Sequence, residues 1–212
     1  MSKKFLEKDM SRREFMKLSG KGVAGLMISA SFLSLIGCSR EDVESGKVGV
    51  TATPMGVLVS FKSRCVGCQR CEMACSLLND GKVQPYLSRV KVGQSIQFGN
   101  DGAGADYSTG DGMYGDFSFT QNTCRQCEVP ACLEACPQKA IYIDEKTGVR
   151  SIESDKCVGC GACTSACPWN MPTVDEETKK STKCIACGEC AKGCPTGALK
   201  IVTWEEAQKL LV

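Results

Sequence analysis

The sequence predicts a small, irregular α+β fold of short β-hairpins and short helices, cross-linked through cysteine rather than held by a large apolar core. Three observations predict it. Aromatic residues are only 6% of the 212-residue chain and hydrophobic residues 42%, so a dense core must be thin or replaced by something else. Cysteine is the outlier at 17 residues, a level that signals a disulfide scaffold or metal binding. Apart from Cys38, every cysteine falls into a group of four with fixed internal spacing. The length allows one or two domains. The absence of histidine removes the commonest general base and any metal centre that needs imidazole.

Residues 1–37 have the build of an export leader, with a charged start, an apolar stretch and small residues. They hold seven basic and three acidic residues, which leaves nineteen basic against twenty-one acidic for the remainder. The basic excess belongs to the leader, and the rest offers no basic stripe for nucleic acid. Ser11-Arg12-Arg13-Glu14-Phe15-Met16-Lys17 resembles the twin-arginine export motif. That resemblance implies export of an already folded protein to the periplasm or another extracytoplasmic space. The apolar stretch from about Gly22 to Gly37 is shorter than the ~20 residues a spanning helix needs. Leu35-Ile36-Gly37-Cys38 resembles the lipobox of bacterial lipoproteins, which implies a lipidated Cys38 held at a membrane surface. The alternative is a free thiol in an uncleaved leader that acts as the anchor.

Residues 38–55 are expected as a linker and 56–203 as the main domain. Val57 to Phe61 and Arg89 to Val92 read as short strands. Residues 93–119 hold seven glycines with Asn, Asp and Ser, which predicts an irregular insertion. Cys136-Pro137-Gln138-Lys139-Ala140-Ile141-Tyr142-Ile143 parallels Cys194-Pro195-Thr196-Gly197-Ala198-Leu199-Lys200-Ile201, and each reads as a turn followed by an alternating strand. Lys146-Thr147-Gly148 marks a turn, with Val149 to Ile152 as the returning partner. Cys167-Pro168-Trp169-Asn170-Met171-Pro172 departs from this repeat, and its second proline favours a loop. Residues 204–212 predict a C-terminal helix with Leu210 and Leu211 packing inward. Trp169 and Trp204 read as packing residues.

The four quartets are Cys65-x₂-Cys68-x₂-Cys71-x₃-Cys75, Cys124-x₂-Cys127-x₄-Cys132-x₃-Cys136-Pro137, Cys157-x₂-Cys160-x₂-Cys163-x₃-Cys167-Pro168 and Cys184-x₂-Cys187-x₂-Cys190-x₃-Cys194-Pro195. Three thiolates two residues apart wrap one cubane of iron and sulfide. A fourth, three residues on, points to a neighbouring cluster. Small residues such as Gly67, Gly159, Gly161, Ala162, Ala186 and Gly188 keep the loops tight and let backbone N–H groups reach sulfur. A disulfide scaffold does not explain the fixed quartets, and cysteines two residues apart rarely have the geometry for a bridge. Structural zinc takes two C-x₂-C pairs separated by a longer loop. A thioredoxin-type site would be one pair. Each oxidised cluster carries about −2; Lys62, Arg64, Arg70, Arg125, Lys139, Lys156, Lys183 and Lys192 flank the quartets and are expected mainly as solvated surface charges.

Three quartets match the run of bacterial ferredoxins. The expected architecture is therefore two bacterial-ferredoxin-like modules of two [4Fe–4S] clusters each. In order, the four quartets resemble the four-cluster electron-transfer subunits of the dimethyl-sulfoxide-reductase type, over about residues 55–203. The resemblance is closer still to exported ferredoxin-like proteins of the YdhY type, found beside aldehyde-ferredoxin-oxidoreductase-like subunits. It rests on Ser19-Gly20-Lys21-Gly22, Leu33-Ser34-Leu35-Ile36-Gly37-Cys38, Thr123-Cys124-Arg125-Gln126-Cys127 and Lys183-Cys184-Ile185-Ala186-Cys187-Gly188-Glu189-Cys190. The sequence alone leaves tandem and nested pairing of quartets open; the resemblance implies nesting. Cys65, Cys68 and Cys71 would then share a cluster with Cys194, and Cys184, Cys187 and Cys190 with Cys75. Cys124, Cys127 and Cys132 would take Cys167, and Cys157, Cys160 and Cys163 would take Cys136. The fourth quartet here is compact, where many members of the type carry a long insertion.

The resemblance implies electron relay between a molybdenum- or tungsten-pterin catalytic subunit and a membrane quinone-reactive subunit. No activated nucleophile, acid–base pair or phosphate loop points to a substrate site, so no catalytic residue is expected. Other readings are a stand-alone exported polyferredoxin, a reductase acting at an open iron site, and a protein whose clusters are structural.

Overall fold

The computed structural model describes residues 30–97 and 116–208. The twin-arginine stretch, residues 98–115 of the glycine-rich insertion, and Leu210 and Leu211 lie outside the described residues. The result is a small mixed α/β fold with few helices and short antiparallel strand pairs. Among the described residues, no helix is long and apolar enough to cross a membrane.

A three-stranded sheet is formed by β1 (Val48–Thr53), β2 (Gly56–Phe61) and β9 (Leu199–Thr203), in the order β1-β2-β9 and antiparallel throughout. Central β2 is buried at all six positions, so both sheet faces are covered. One face meets α1 (Ala30–Ile36): Phe32, Leu33 and Ile36 pack with Val48, Val57, Val59, Phe61 and Val202, and Cys38 and Trp204 close the edge. The other face carries Leu199 toward the cysteine helices. α1 stops at Gly37, whose φ of +68° favours glycine. There Gly37 N–H donates to Ser34 O at 3.2 Å and Cys38 N–H to Leu33 O at 3.1 Å, the paired bonds of a Schellman cap. Ser39 then caps α2 (Arg40–Glu44) through a reciprocal exchange with Asp42.

Two expectations are revised here. The stretch 38–55 is not an open linker, because it supplies α2 and the edge strand β1. Phe32, Leu33 and Ile36, which fall in the stretch expected as a leader, are built into the core as a cover over the sheet.

The remaining strands form three hairpins. β3 (Val90–Gln97) pairs with β4 (Asp116–Thr123) over eight positions, so the strand expected to stop at Val92 runs on into the glycine-rich insertion, and the far end of that insertion supplies a partner strand the sequence did not predict. Gln121 joins this hairpin to the main sheet, donating to Phe61 O at 2.9 Å and Ala198 O at 3.0 Å. β5 (Ile141–Ile143) pairs with β6 (Arg150–Ile152), as the turn signal predicts. β7 (Thr173–Val174) pairs with β8 (Ser181–Thr182), in the segment expected as a loop.

That last hairpin is the repeat in disguise. Lys139, Asn170 and Gly197 each sit three residues after a trailing cysteine and share φ of about +50 to +64°. The hairpin turns match too: Asp144 and Asp175 accept backbone N–H groups from the following residues, and Gly148 and Lys179 take positive φ. Pro172 precedes β7 and removes no ladder bond, so the strand survives it.

Burying an apolar side chain contributes about 1.5–3 kcal/mol, so Phe32, Leu33 and Ile36 together matter against a net stability of ~5–15 kcal/mol. A chain beginning at Cys38 is expected to melt roughly 10 °C or more below the longer protein, both carrying their metal. Thermal denaturation followed by circular dichroism checks this; equal melting temperatures would show that α1 contributes nothing.

Candidate functional site

Four helices carry cysteines: α3 (Arg70–Asp80), α4 (Ala131–Glu134), α5 (Ala162–Ala166) and α6 (Glu189–Lys192). Each starts beside the third cysteine of a quartet, and the trailing cysteine follows four residues later. One helical turn thus places Cys71 and Cys75, Cys132 and Cys136, Cys163 and Cys167, and Cys190 and Cys194 one above the other.

Before each helix the loop adopts one conformation. The second residue between the first two cysteines has positive φ in all four quartets: Gly67, Gln126, Gly159 and Ala186. The residue before the helix repeats this at Gln69, Gly161 and Gly188. The second quartet, with its longer loop, uses Pro130 at that place instead. Gly159 is constrained twice, since a Cβ there would lie 2.1 Å from the Lys179 carbonyl oxygen.

The structure brings the sixteen quartet cysteines together around four cavities. Cys65, Cys68, Cys71 and Cys194 line the first. Cys184, Cys187, Cys190 and Cys75 line the second. Cys124, Cys127, Cys132 and Cys167 line the third. Cys157, Cys160, Cys163 and Cys136 line the fourth. In every case three thiols come from one loop and the fourth from the trailing position of another quartet. None of the seventeen cysteines is in a disulfide.

Among the described residues, no three His, Cys, Asp or Glu groups converge closely enough to hold one ion. Sulfurs around a single zinc lie ~2.3 Å from it and crowd together. Here the thiols ring a cavity instead, which suits a group several atoms across. The donor set fits iron and sulfide, since [4Fe–4S] clusters are held by four cysteine thiolates.

Backbone N–H groups are aimed at sulfur in three of the four cavities. Leu199 donates to Cys194 Sγ at 3.4 Å, Arg89 to Cys75 Sγ at 3.3 Å, Ala186 to Cys184 Sγ at 3.3 Å, Ala140 to Cys136 Sγ at 3.3 Å, and Ser181 to Cys157 Sγ at 3.3 Å. In the third cavity the donor is a side chain: Lys183 Nζ lies 3.3 Å from Cys124 Sγ.

Burial disfavours the thiolate form at several of these cysteines. Burial pushes Cys71 and Cys184 up to about 12, with Glu72 and Cys124 respectively as further causes. Burial raises Cys190 as well, and Cys127 and Cys132 more mildly. Cys194 runs the other way: burial raises it, but the N–H of Leu199 and the hydroxyl of Thr196 prevail and lower it. Metal binding needs thiolates, so loading must expel these protons, and binding free energy becomes folding free energy.

Sequence reasoning missed the groups between the cavities. Of the eight cations expected as surface charges, seven are exposed, but Lys183 is buried. Arg89 is buried beside Cys75 in a two-point pair with Asp80. Ser181 Oγ lies 3.2 Å from Cys163 Sγ. None carries a periodic signal, because each reaches its sulfur through tertiary packing. Trp204 packs on the core as expected, and Trp169 lies under the Arg125 guanidinium at 4.6 Å.

The chain matches the 4Fe-4S dicluster domain over residues 116–204 and the 4Fe-4S binding domain over residues 62–83. It is 51% identical over 201 residues to the uncharacterized ferredoxin-like protein YdhY of Escherichia coli K12, covering 95% of each chain. The chain belongs to the ferredoxin-like 4Fe–4S proteins. More distant relatives include the polyferredoxin-like subunit of an aliphatic sulfonate oxidoreductase of Pyrococcus furiosus, 34% identical over 52% of this chain and 53% of the relative. Another is the thiosulfate reductase electron transfer subunit PhsB of Salmonella typhi, 33% identical over 58% of this chain and 57% of the relative.

Removing iron and sulfide anaerobically is expected to abolish the compact fold, because the apolar core is small. Loss of a cooperative melt and of hydrogen-exchange protection is the expected readout; a sharply melting apoprotein would contradict it. Gly159→Ala, which meets the Lys179 carbonyl, should lower iron content by about one cluster and leave the remaining signals intact.

Proposed function

We propose that the protein is a one-electron carrier subunit holding four [4Fe–4S] clusters. It would relay electrons between a molybdenum- or tungsten-pterin catalytic subunit and a membrane quinone-reactive partner. Each cluster, when bound, exchanges one electron and needs no acid–base group from the chain. The observation that carries this reading is the succession of four sulfur-ringed cavities. The relatives named as electron-transfer and oxidoreductase subunits support it.

The ligand sets follow the cavity linings: Cys65, Cys68, Cys71 and Cys194; Cys184, Cys187, Cys190 and Cys75; Cys124, Cys127, Cys132 and Cys167; Cys157, Cys160, Cys163 and Cys136. The first and fourth quartets form one two-cluster module through α3 and α6. The second and third form the other through α4 and α5. Neighbouring cavities share a helical turn within each module, and Cys124 lines the second cavity as well as the third. Cys68 and Cys160, in the first and fourth cavities, are the exposed quartet thiols, whereas the middle pair of cavities has none. That suits entry and exit at the two ends and insulation between them.

The leader motif supports twin-arginine export to the periplasmic side after the clusters are inserted. Membrane association would come through a lipid on Cys38 or through the leader; the docking of α1 in the core favours a leader that keeps residues 30–37.

Anaerobic protein should hold about sixteen irons per chain, and low-temperature EPR titration should show reversible one-electron reductions. Fewer than about twelve irons, or no reversible signal, would favour structural clusters instead. Cys75→Ala and Cys184→Ala should erase the same EPR signal, and Cys71→Ala a different one. Loss of one common signal in Cys71→Ala and Cys75→Ala, with Cys184→Ala distinct, would establish pairing within a quartet.

A further inference from the structure

At the junction between the two modules a buried cation, Lys183, lies outside every ion pair among the described residues, beside the half-buried Arg150. Lys183 is only 5% exposed. Its Nζ donates to Cys124 Sγ at 3.3 Å, to Gln126 Oε1 at 3.4 Å and to Arg150 O at 2.8 Å. It precedes Cys184 of the second cavity while touching Cys124 of the third. Gln126 completes the crossing, donating through Nε2 to Cys184 O at 2.8 Å and accepting from Arg150 N–H at 2.9 Å.

Arg89 also lies at the second cavity, but Asp80 neutralises it at two points. Lys183 belongs to none of the ion pairs among the described residues. Apart from Cys124 Sγ, the acceptors around this ammonium are neutral oxygens, and a buried ammonium is costly unless an anion compensates it. The anionic groups on offer at this place are the thiolates of Cys124 and Cys184 and what they bind.

We infer that Lys183 is the electrostatic bridge of the electron path, a positioning residue whose ammonium is the counter-charge of the two middle clusters and raises their reduction potentials. The inference rests on the four-cluster reading. Reduction of either neighbour adds one electron and no proton. A cation already in place favours that extra negative charge, and in a buried site it acts with little screening. The junction is where no shared helical turn links the cavities, so a charge there biases the single crossing between modules.

The test is EPR-monitored redox titration of anaerobic holoprotein for the unmodified chain, Lys183→Met, Lys183→Gln and Lys183→Arg. The unmodified protein is measured first: lack of four clusters or of reversible reduction there sinks the carrier reading itself, not the role of Lys183. The expected result is full iron content in all variants, a lower midpoint for at least one middle cluster in Lys183→Met and Lys183→Gln, and restoration by Lys183→Arg. Unchanged midpoints in the neutral variants would overturn the inference, as would a fall in Lys183→Arg equal to that in Lys183→Gln. If the neutral variants fail to load iron while Lys183→Arg loads fully, the positive charge is required by the clusters, which supports it. Failure of Lys183→Arg to load as well would assign Lys183 a packing role and overturn it.

Discussion

The constraint on which the structure depends is that each ring of four sulfurs is completed from elsewhere in the chain. Three thiols come from a single loop, and the fourth arrives from the trailing position of another quartet. No quartet can close a site by itself, so a local loop becomes a long-range cross-link. Cys194 returns to the loop of Cys65, at the opposite end of the domain. This closure takes the place of the large apolar core that the composition cannot supply, and it ties folding to the presence of metal.

One backbone device serves all four loops. A left-handed residue before the second cysteine turns the chain around the cavity, and at Ala186 it also aims an N–H at sulfur. A helical turn then lifts the trailing cysteine toward the neighbouring cavity. Sequence varies at these positions, with Gly, Gln and Ala all present, yet the conformation holds. The cost of a left-handed non-glycine residue is modest, and metal ligation and packing around the loop offset it.

Charge is distributed unevenly along the row of cavities. Most cations near the cysteines face solvent, where screening weakens them. At the middle of the row two buried cations stand beside sulfur, Arg89 neutralised by Asp80 and Lys183 outside every ion pair among the described residues, while Arg125 and Arg150 line the third cavity from less buried positions. The outer cavities instead expose Cys68 and Cys160. Exposed thiols in the outer cavities with a buried cation between the inner ones is an arrangement suited to passing charge between partners.

The amino-acid sequence by itself determined the metal chemistry and the β5–β6 hairpin. Cysteine spacing is a local property, and Lys146-Thr147-Gly148 specifies its turn within a few residues. The tertiary structure decided what lies far apart along the chain. It set Cys75 in one cavity lining with Cys184 and Cys136 in another with Cys157, a juxtaposition that spacing does not encode. It put Phe32, Leu33 and Ile36 of an apparent leader over the β1-β2-β9 sheet, because that face would otherwise leave Val57, Val59 and Val202 uncovered. It recovered a hairpin after Cys167 that Pro172 had masked. It also buried Lys183, which is indistinguishable in sequence from seven exposed cations. Burial and partners depend on what the rest of the fold brings alongside, and no local pattern encodes that.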